Sequence, residues 1–281
     1  MSIGQHALSP PEAFLLLKPD LDDAREAAKI AALYLLAQRV FRMKSVEHSG
    51  FLGITRTTDV LDVGHYAGDR GGPVGAVWSK GRALQDGSTL ADLAKSMQSE
   101  WGSGLKGYAR DIVLPALESR GLVKGYHRKI MGVFPVHQWQ RTAAGETASI
   151  EVAAAKQTAR TIPDFLDNDP RQAAALILAV GSAVLLVPEL RPHFAEMARV
   201  MAAQKSDGSG SSTDGSSSTG DSGSGTGEQR HEPHDDKFEL GGLDAADIDA
   251  LSSDLSGFDA GFDAGDSGGD GGGGDGGGGG D

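Results

Sequence analysis

GYARDIVLPALESRGLVKGYHRKIMGVFPVHQWQRT, residues Gly107–Thr142, joins an amphipathic helix to a β-hairpin through an arginine-glycine corner. Leu105, Tyr108, Ile112, Ala116 and Leu117 recur at spacings that share one helical face, with Arg110, Asp111 and Glu118 largely off it. Pro115 lies inside that pattern and predicts a kink or reset, because it has no amide hydrogen and crowds the preceding turn. Gly121 is placed to take the left-handed conformation that ends a helix, and Leu122 and Val123 then begin a strand. The hairpin is expected to turn near Arg128 and Lys129. Its returning strand, Ile130–Gln140, carries Ile130, Met131, Val133, Phe134 and Trp139, and Pro135 predicts a sheet edge. Helix, corner and wing describe a winged-helix-like unit.

Charge divides the 281-residue chain into two unequal parts near Ser206. From Ser206 to Asp281, eighteen acidic residues face two basic ones, Arg230 and Lys237, a balance of −16; residues 1–205 hold 24 basic against 21 acidic residues, a balance of +3. The overall −13 is therefore a property of the tail, and whole-chain acidity says little about the body's surface. Serine, glycine and aspartate dominate residues 206–281, which bury too little apolar surface to offset chain entropy. They are expected to form a disordered acidic tail, dispensable for folding. Residues 1–205 are long enough for one substantial core or two small ones.

The absence of cysteine excludes a disulfide framework and fits a reducing compartment. The N-terminal sequence lacks a basic start followed by a long apolar run, so no signal peptide is expected and cytoplasmic residence is the default expectation. Ser9-Pro10-Pro11-Glu12 reads as the start of a short helix. A second helix is expected from Asp20 or Asp22 towards Met43, with Ile30, Leu33, Ala37, Val40 and Phe41 on its apolar face. Phe51–Val63 alternates as a strand or hairpin, Asp69–Pro73 and Asp86-Gly87 are turn chemistry, and Thr89–Trp101 is helical. Further helices are expected over Glu146–Arg160, Pro170–Val187 and Glu189–Gln204. The apolar run Ala173–Val187 falls short of the roughly 20 residues a spanning helix needs and reads as buried core. The fold class is mainly α: a helical body with embedded winged-helix-like β-hairpins, followed by the acidic tail.

The corner Glu118-Ser119-Arg120-Gly121-Leu122-Val123, the hairpin HRKIMGVFPVHQW and the later run Asn168-Asp169-Pro170-Arg171-Gln172-Ala173-Ala174-Ala175-Leu176 occur in an order that resembles the Golgi phosphoprotein 3 family, including its bacterial members. The likeness covers most of Ser9–Met201, and the tail is an addition to it. The resemblance implies a non-catalytic peripheral membrane protein that binds phosphatidylinositol phosphate through a basic pocket, inserts an apolar hairpin and serves as an adaptor for client proteins. The family's Arg-x-x-Arg pair falls on Gly107 and Arg110, so one arginine of the two is present. Its further arginine, on the N-terminal core helix, matches Lys29, and its pocket tryptophan has no counterpart near Asp20. The resemblance thus nominates Arg110 and Lys29 as headgroup-binding, and Arg128, Lys129, Ile130, Met131, Val133 and Phe134 as membrane-contacting. Cations beside exposed apolar groups also suit an anionic membrane surface on physical grounds. The same pattern fits a core-packed wing with a solvated turn, and Arg110 equally fits a plain surface residue.

Other motifs are weaker. Gly102-Ser103-Gly104-Leu105-Lys106-Gly107 matches G-x-G-x-x-G but follows an expected helix, whereas the nucleotide fingerprint needs a strand there. His231, His234, Asp235 and Asp236 lie in the tail without preset metal geometry, and no nucleophile, base and ligand cluster is found. Neither catalysis nor a cofactor is expected. A winged-helix nucleic-acid binder would use Leu105–Arg120 as its recognition helix and Arg128-Lys129 as its wing, but a body balance of +3 is poor for clustered phosphate contacts. A soluble scaffold that binds through its tail is a further alternative. Within the tail, Ile248, Leu251, Leu255, Phe258 and Phe262 recur at three- and four-residue spacings among aspartates, the pattern of an acidic amphipathic helix. It reads either as a solubilising acidic-hydrophobic stretch with no partner or as a segment that docks on a client protein or on the chain's own oppositely charged body.

Overall fold

The computed structural model describes residues 8–49, 55–130, 134–207, 258–259 and 261–262. Helix α1, Pro10–Leu17, begins where the Ser9 amide donates to Glu12 Oε2 at 2.8 Å. Glu12 is buried, and Arg120 Nε lies 3.3 Å from its other oxygen. At the far end, Arg141 Nη1 donates to the carbonyls of Leu16 and Leu17 at 3.2 and 2.8 Å, supplying partners the helix itself leaves without.

Helix α2, Ala24–Ala37, buries Ala27, Ala28, Ile30, Ala31, Leu33 and Leu35, and its alanines let neighbouring helices approach closely. It stops short of the expected Met43. The Arg39 amide donates to Leu36 O and the Val40 amide to Leu35 O, both at 2.9 Å, with Arg39 at φ 54°. This is a left-handed helix terminus, and it turns Val40 and Phe41 out of the helix. Phe41 instead opens strand β1, Phe41–Ser49, which pairs antiparallel with β2, Thr55–Val63, from Phe41↔Val63 to Ser49↔Thr55. The start of the expected Phe51–Val63 strand lies outside the described residues.

Helix α3, Pro73–Arg82, forms in a glycine-rich stretch for which the sequence suggests no element beyond the turn at Asp69–Pro73, and is anchored by buried Val74, Val77 and Trp78. Helix α4, Leu90–Trp101, is capped reciprocally: Thr89 Oγ1 accepts from the Asp92 amide at 3.2 Å, and the Asp92 carboxylate accepts from the Thr89 amide at 2.9 Å. Because α4 precedes Gly102–Gly107, the G-x-G-x-x-G stretch follows a helix, as its sequence context indicates.

Next come α5, Lys106–Tyr108, a wide π-helical turn over Ala109–Val113, and α6, Leu114–Ser119. The π turn absorbs the disruption introduced by Pro115 without breaking the helical path. Tyr108 is fully buried and its hydroxyl donates to Pro73 O at 3.0 Å. Burial, the dominant cause, pushes its hydroxyl pKa well up, assisted by the Glu12 carboxylate. Gly121, at φ 70°, ends α6: its amide donates to Glu118 O and the Leu122 amide to Leu117 O. Strands β3, Val123–Ile130, and β4, Phe134–Arg141, form the wing, with the Gly125 amide donating to Glu118 Oε1 at 3.0 Å. Val123 and Trp139 are buried at its base and set the register. The connection therefore spans 131–133 rather than Arg128-Lys129, which pair with Val136 and Pro135, and Ile130 ends the outgoing strand.

The remaining helices are α7, Ala143–Ala159, α8, Pro163–Leu166, α9, Pro170–Val180, and α10, Phe194–Asp207. The expected helix to Val187 stops at Gly181, φ 53°, and continues as a 3₁₀ segment, Gly181–Leu186, whose Val184, Leu185 and Leu186 are buried. A second 3₁₀ segment, Pro188–His193, contains Pro192, which delays α10 beyond the expected Glu189 start. Helix α10 runs through Ser206 to Asp207, slightly past the boundary expected for the body. The architecture is mainly helical with two antiparallel hairpins. Among the described residues no helix is long and apolar enough to cross a membrane.

Candidate anion site and docking groove

Lys29 sits on central helix α2, yet it is only 6% exposed. A buried ammonium needs a counter-charge, and here it comes from 230 positions away: Nζ lies 2.7 and 2.6 Å from the two carboxylate oxygens of Asp259. Both sides of Asp259 are anchored. Phe258 is 1% exposed and Phe262 is fully buried, and their rings meet edge to face at 4.8 Å between centroids. Arg25, one helical turn before Lys29, stacks its guanidinium 5.1 Å over the Phe262 ring. From α4, Gln98 Nε2 donates to the Phe262 carbonyl at 2.9 Å. A Cβ added to Gly261 would lie 2.8 Å from Ala91 O and 2.9 Å from Ala94 Cβ, so only glycine lets the segment lie this close to α4.

The groove thus joins α2 and α4 and reads aromatic, acidic, small and aromatic groups in turn. Burying two phenylalanines contributes about 1.5–3 kcal/mol each. Ordering five residues costs about 1–2 kcal/mol apiece. These opposing sums lie within a few kcal/mol of each other, so the ion pair and the Gln98 hydrogen bond decide the balance. Such a contact is reversible by construction. Phe258 belongs to the apolar series expected to seek a partner; Ile248, Leu251 and Leu255 lie outside the described residues. Beyond α10, Phe258, Asp259, Gly261 and Phe262 are the tail residues that the structure describes.

Arg110 occupies a different environment. It projects from the π turn, and its Nε and Nη2 donate to the two oxygens of adjacent Asp111 at 2.7 and 2.8 Å. Both side chains are 54% exposed. The carboxylate raises the arginine's pKa, and the arginine in turn lowers that of Asp111. Gly107, the position that resemblance pairs with Arg110, is buried, and a Cβ there would lie 2.8 Å from Trp101 O and 3.0 Å from Trp101 Cα. A second arginine is excluded here by backbone packing. The family-like corner has structural work instead, since Arg120 faces buried Glu12 and Glu118 holds the start of β3. Near Asp20, Lys106 is held by Asp22 at 2.7 Å, which raises the lysine's pKa and lowers the aspartate's.

Arg128, Lys129, Ile130 and Phe134 supply backbone to the distal wing, and Met131 and Val133 lie outside the described residues. Among the described residues no group of three or more acidic, histidine or cysteine side chains is arranged to hold a metal ion. Of the two headgroup candidates only Lys29 faces a groove. Arg25, Ala91, Ala94 and Gln98, which complete that groove, carry no sequence signal of their own, because three of the four read as ordinary helix-surface residues. Neither comparison with protein-family models nor comparison with curated proteins gives a match.

Proposed function

We propose that the protein is a non-catalytic adaptor of the Golgi phosphoprotein 3 type that associates peripherally with anionic membranes from the cytoplasm. Lys29 receives the anionic oxygens of a phosphoinositide-like headgroup, and the β3–β4 wing contacts the bilayer through Ile130, Met131, Val133 and Phe134, flanked by Arg128 and Lys129. Arg110 adds long-range attraction at the surface. The observation that supports the reading is the buried Lys29 ammonium gripped by two oxygens of one carboxylate, an arrangement that phosphate oxygens can also adopt. The exposed face of the α5–α6 segment sets Asp111 and Glu118 among Lys106, Arg110 and Arg120, with Arg110 paired to Asp111, a mixed charge pattern that favours the lipid reading over clustered phosphate contacts to nucleic acid.

The test is flotation of the full chain carrying Asp259→Ala, which frees Lys29, with phosphatidylcholine vesicles with or without phosphatidylinositol phosphate. Association with the anionic vesicles alone, lost when Met131→Asp and Phe134→Asp are added, is the expected result. No association, or equal association with pure phosphatidylcholine, overturns the reading.

A further inference from the structure

We propose that the α2–α4 groove is a recognition site for the sequence Phe-Asp-Ala-Gly-Phe, residues 258–262, and that this segment docks intramolecularly to keep Lys29 closed to other anions. The consequence for membrane association rests on the function proposed above; the recognition itself does not.

Specificity follows from the chemistry at each position. Phe258 and Phe262, four residues apart on helical backbone, present one aromatic face that the groove buries. Asp259 projects to Lys29, and Gly261 provides the close approach to Ala91 and Ala94. The tetrapeptide Phe-Asp-Ala-Gly occurs twice in succession, at 258–261 and 262–265, which would seem to allow two registers. Sliding the chain by one repeat puts Asp266 where Phe262 is buried beneath Arg25. That substitution replaces a stacked ring by a carboxylate in an apolar seat, so the two registers are unequal. The spacing Phe-x-x-x-Phe occurs once within residues 206–281.

Tethering makes a marginal contact effective. About 50 residues separate α10 from Phe258, and a serine- and glycine-rich tether of that length gives an effective concentration of about 1 mM. A groove of about millimolar affinity for the free peptide is then about half filled in the intact chain. The opposite balances of body and tail, +3 and −16, favour the encounter and make it weaken with salt. Occupancy and anion binding are mutually exclusive because both use the Lys29 ammonium. An anionic surface at high local density therefore displaces the tail, and the tail in turn suppresses binding to sparse anions.

The chain has no cysteine, so two can be introduced as label sites in the full-length protein. With nitroxides at Lys95→Cys on the exposed face of α4 and Ser256→Cys, double electron–electron resonance should give a narrow component under about 30 Å in about half of the molecules, a bound set by the five residues of chain between Ser256 and Gly261. Gly261→Val, which cannot seat against Ala91, should broaden the distribution to the order of 40 Å expected for a released tether of about 50 residues. Circular dichroism should show an unchanged body. A broad distribution with no narrow component in the unsubstituted chain overturns the proposal, as does a narrow component that survives Gly261→Val. A narrow distance that disappears on dilution with unlabelled chain assigns the contact to a second copy and overturns the intramolecular form. Phosphatidylinositol phosphate vesicles should broaden the distance if docking and lipid compete; vesicle binding with the narrow distance intact overturns the closure. If the Asp259→Ala chain binds no vesicle while the narrow distance and its loss in Gly261→Val both hold, the groove's recognition of the tail stands and the lipid function falls.

Discussion

Lys29 and Arg110 carry the same charge and were nominated for the same site, but their surroundings assign them different work. Lys29 is enclosed between α2 and a segment from the far end of the chain, and its counter-ion Asp259 is half exposed. Arg110 stands in water beside a carboxylate that is its immediate neighbour in sequence and accompanies it everywhere. A charge pair between adjacent exposed residues contributes little to folding and leaves Arg110 only a screened, long-range part in attracting anions. A buried cation whose partner lies about 50 residues beyond the body would, in the function proposed, be a site with a built-in competitor.

The contrast can be tested from the largest effect to the smallest. Tyr108→Ala, two residues before Arg110, removes a fully buried ring and its hydrogen bond to Pro73, and should cost about 3–5 kcal/mol in chemical denaturation. Thr89→Ala removes the cap of α4, one wall of the groove, and should cost about 1 kcal/mol. The same variant should flatten the acid limb of the stability curve only slightly, because alanine loses the hydroxyl but keeps the backbone amide. The Thr89 amide, and secondarily its hydroxyl, hold the Asp92 carboxyl below its ordinary value of 3.8. The stability this gives is fully present above that value and is lost as pH falls through the lower, folded-state one. Arg110→Ala should leave the denaturation midpoint unchanged, and a measurable loss would mean that the Arg110–Asp111 pair supports the helix after all.

Legibility followed the range of the interactions. Gly121 and Arg39 end their helices with the same pair of backbone hydrogen bonds, yet only the glycine advertises its left-handed conformation. The arginine does not, so α2 was expected to continue and β1 was missed. Pro115 forecast a disturbance of the helix correctly, but that a π turn would absorb it depended on packing around Tyr108 and Val113. Helix α3 was hidden by its glycines, since the burial of Val74, Val77 and Trp78 outweighs weak local propensity. At the site, the apolar spacing of Phe258 and Phe262 was visible and Lys29 was named. Their meeting was not, because 230 residues separate Lys29 from Asp259 and no local pattern encodes that pairing.

The central claim is that Lys29, and not Arg110, is the position where anions are received. The most direct measurement compares Lys29→Met with Arg110→Ala, each in the Asp259→Ala chain, for co-flotation with phosphatidylinositol phosphate vesicles across a salt series. Lys29→Met should abolish association at every salt concentration, whereas Arg110→Ala should retain it with a shallower salt dependence. Retained binding in Lys29→Met, or loss confined to Arg110→Ala, would contradict the account.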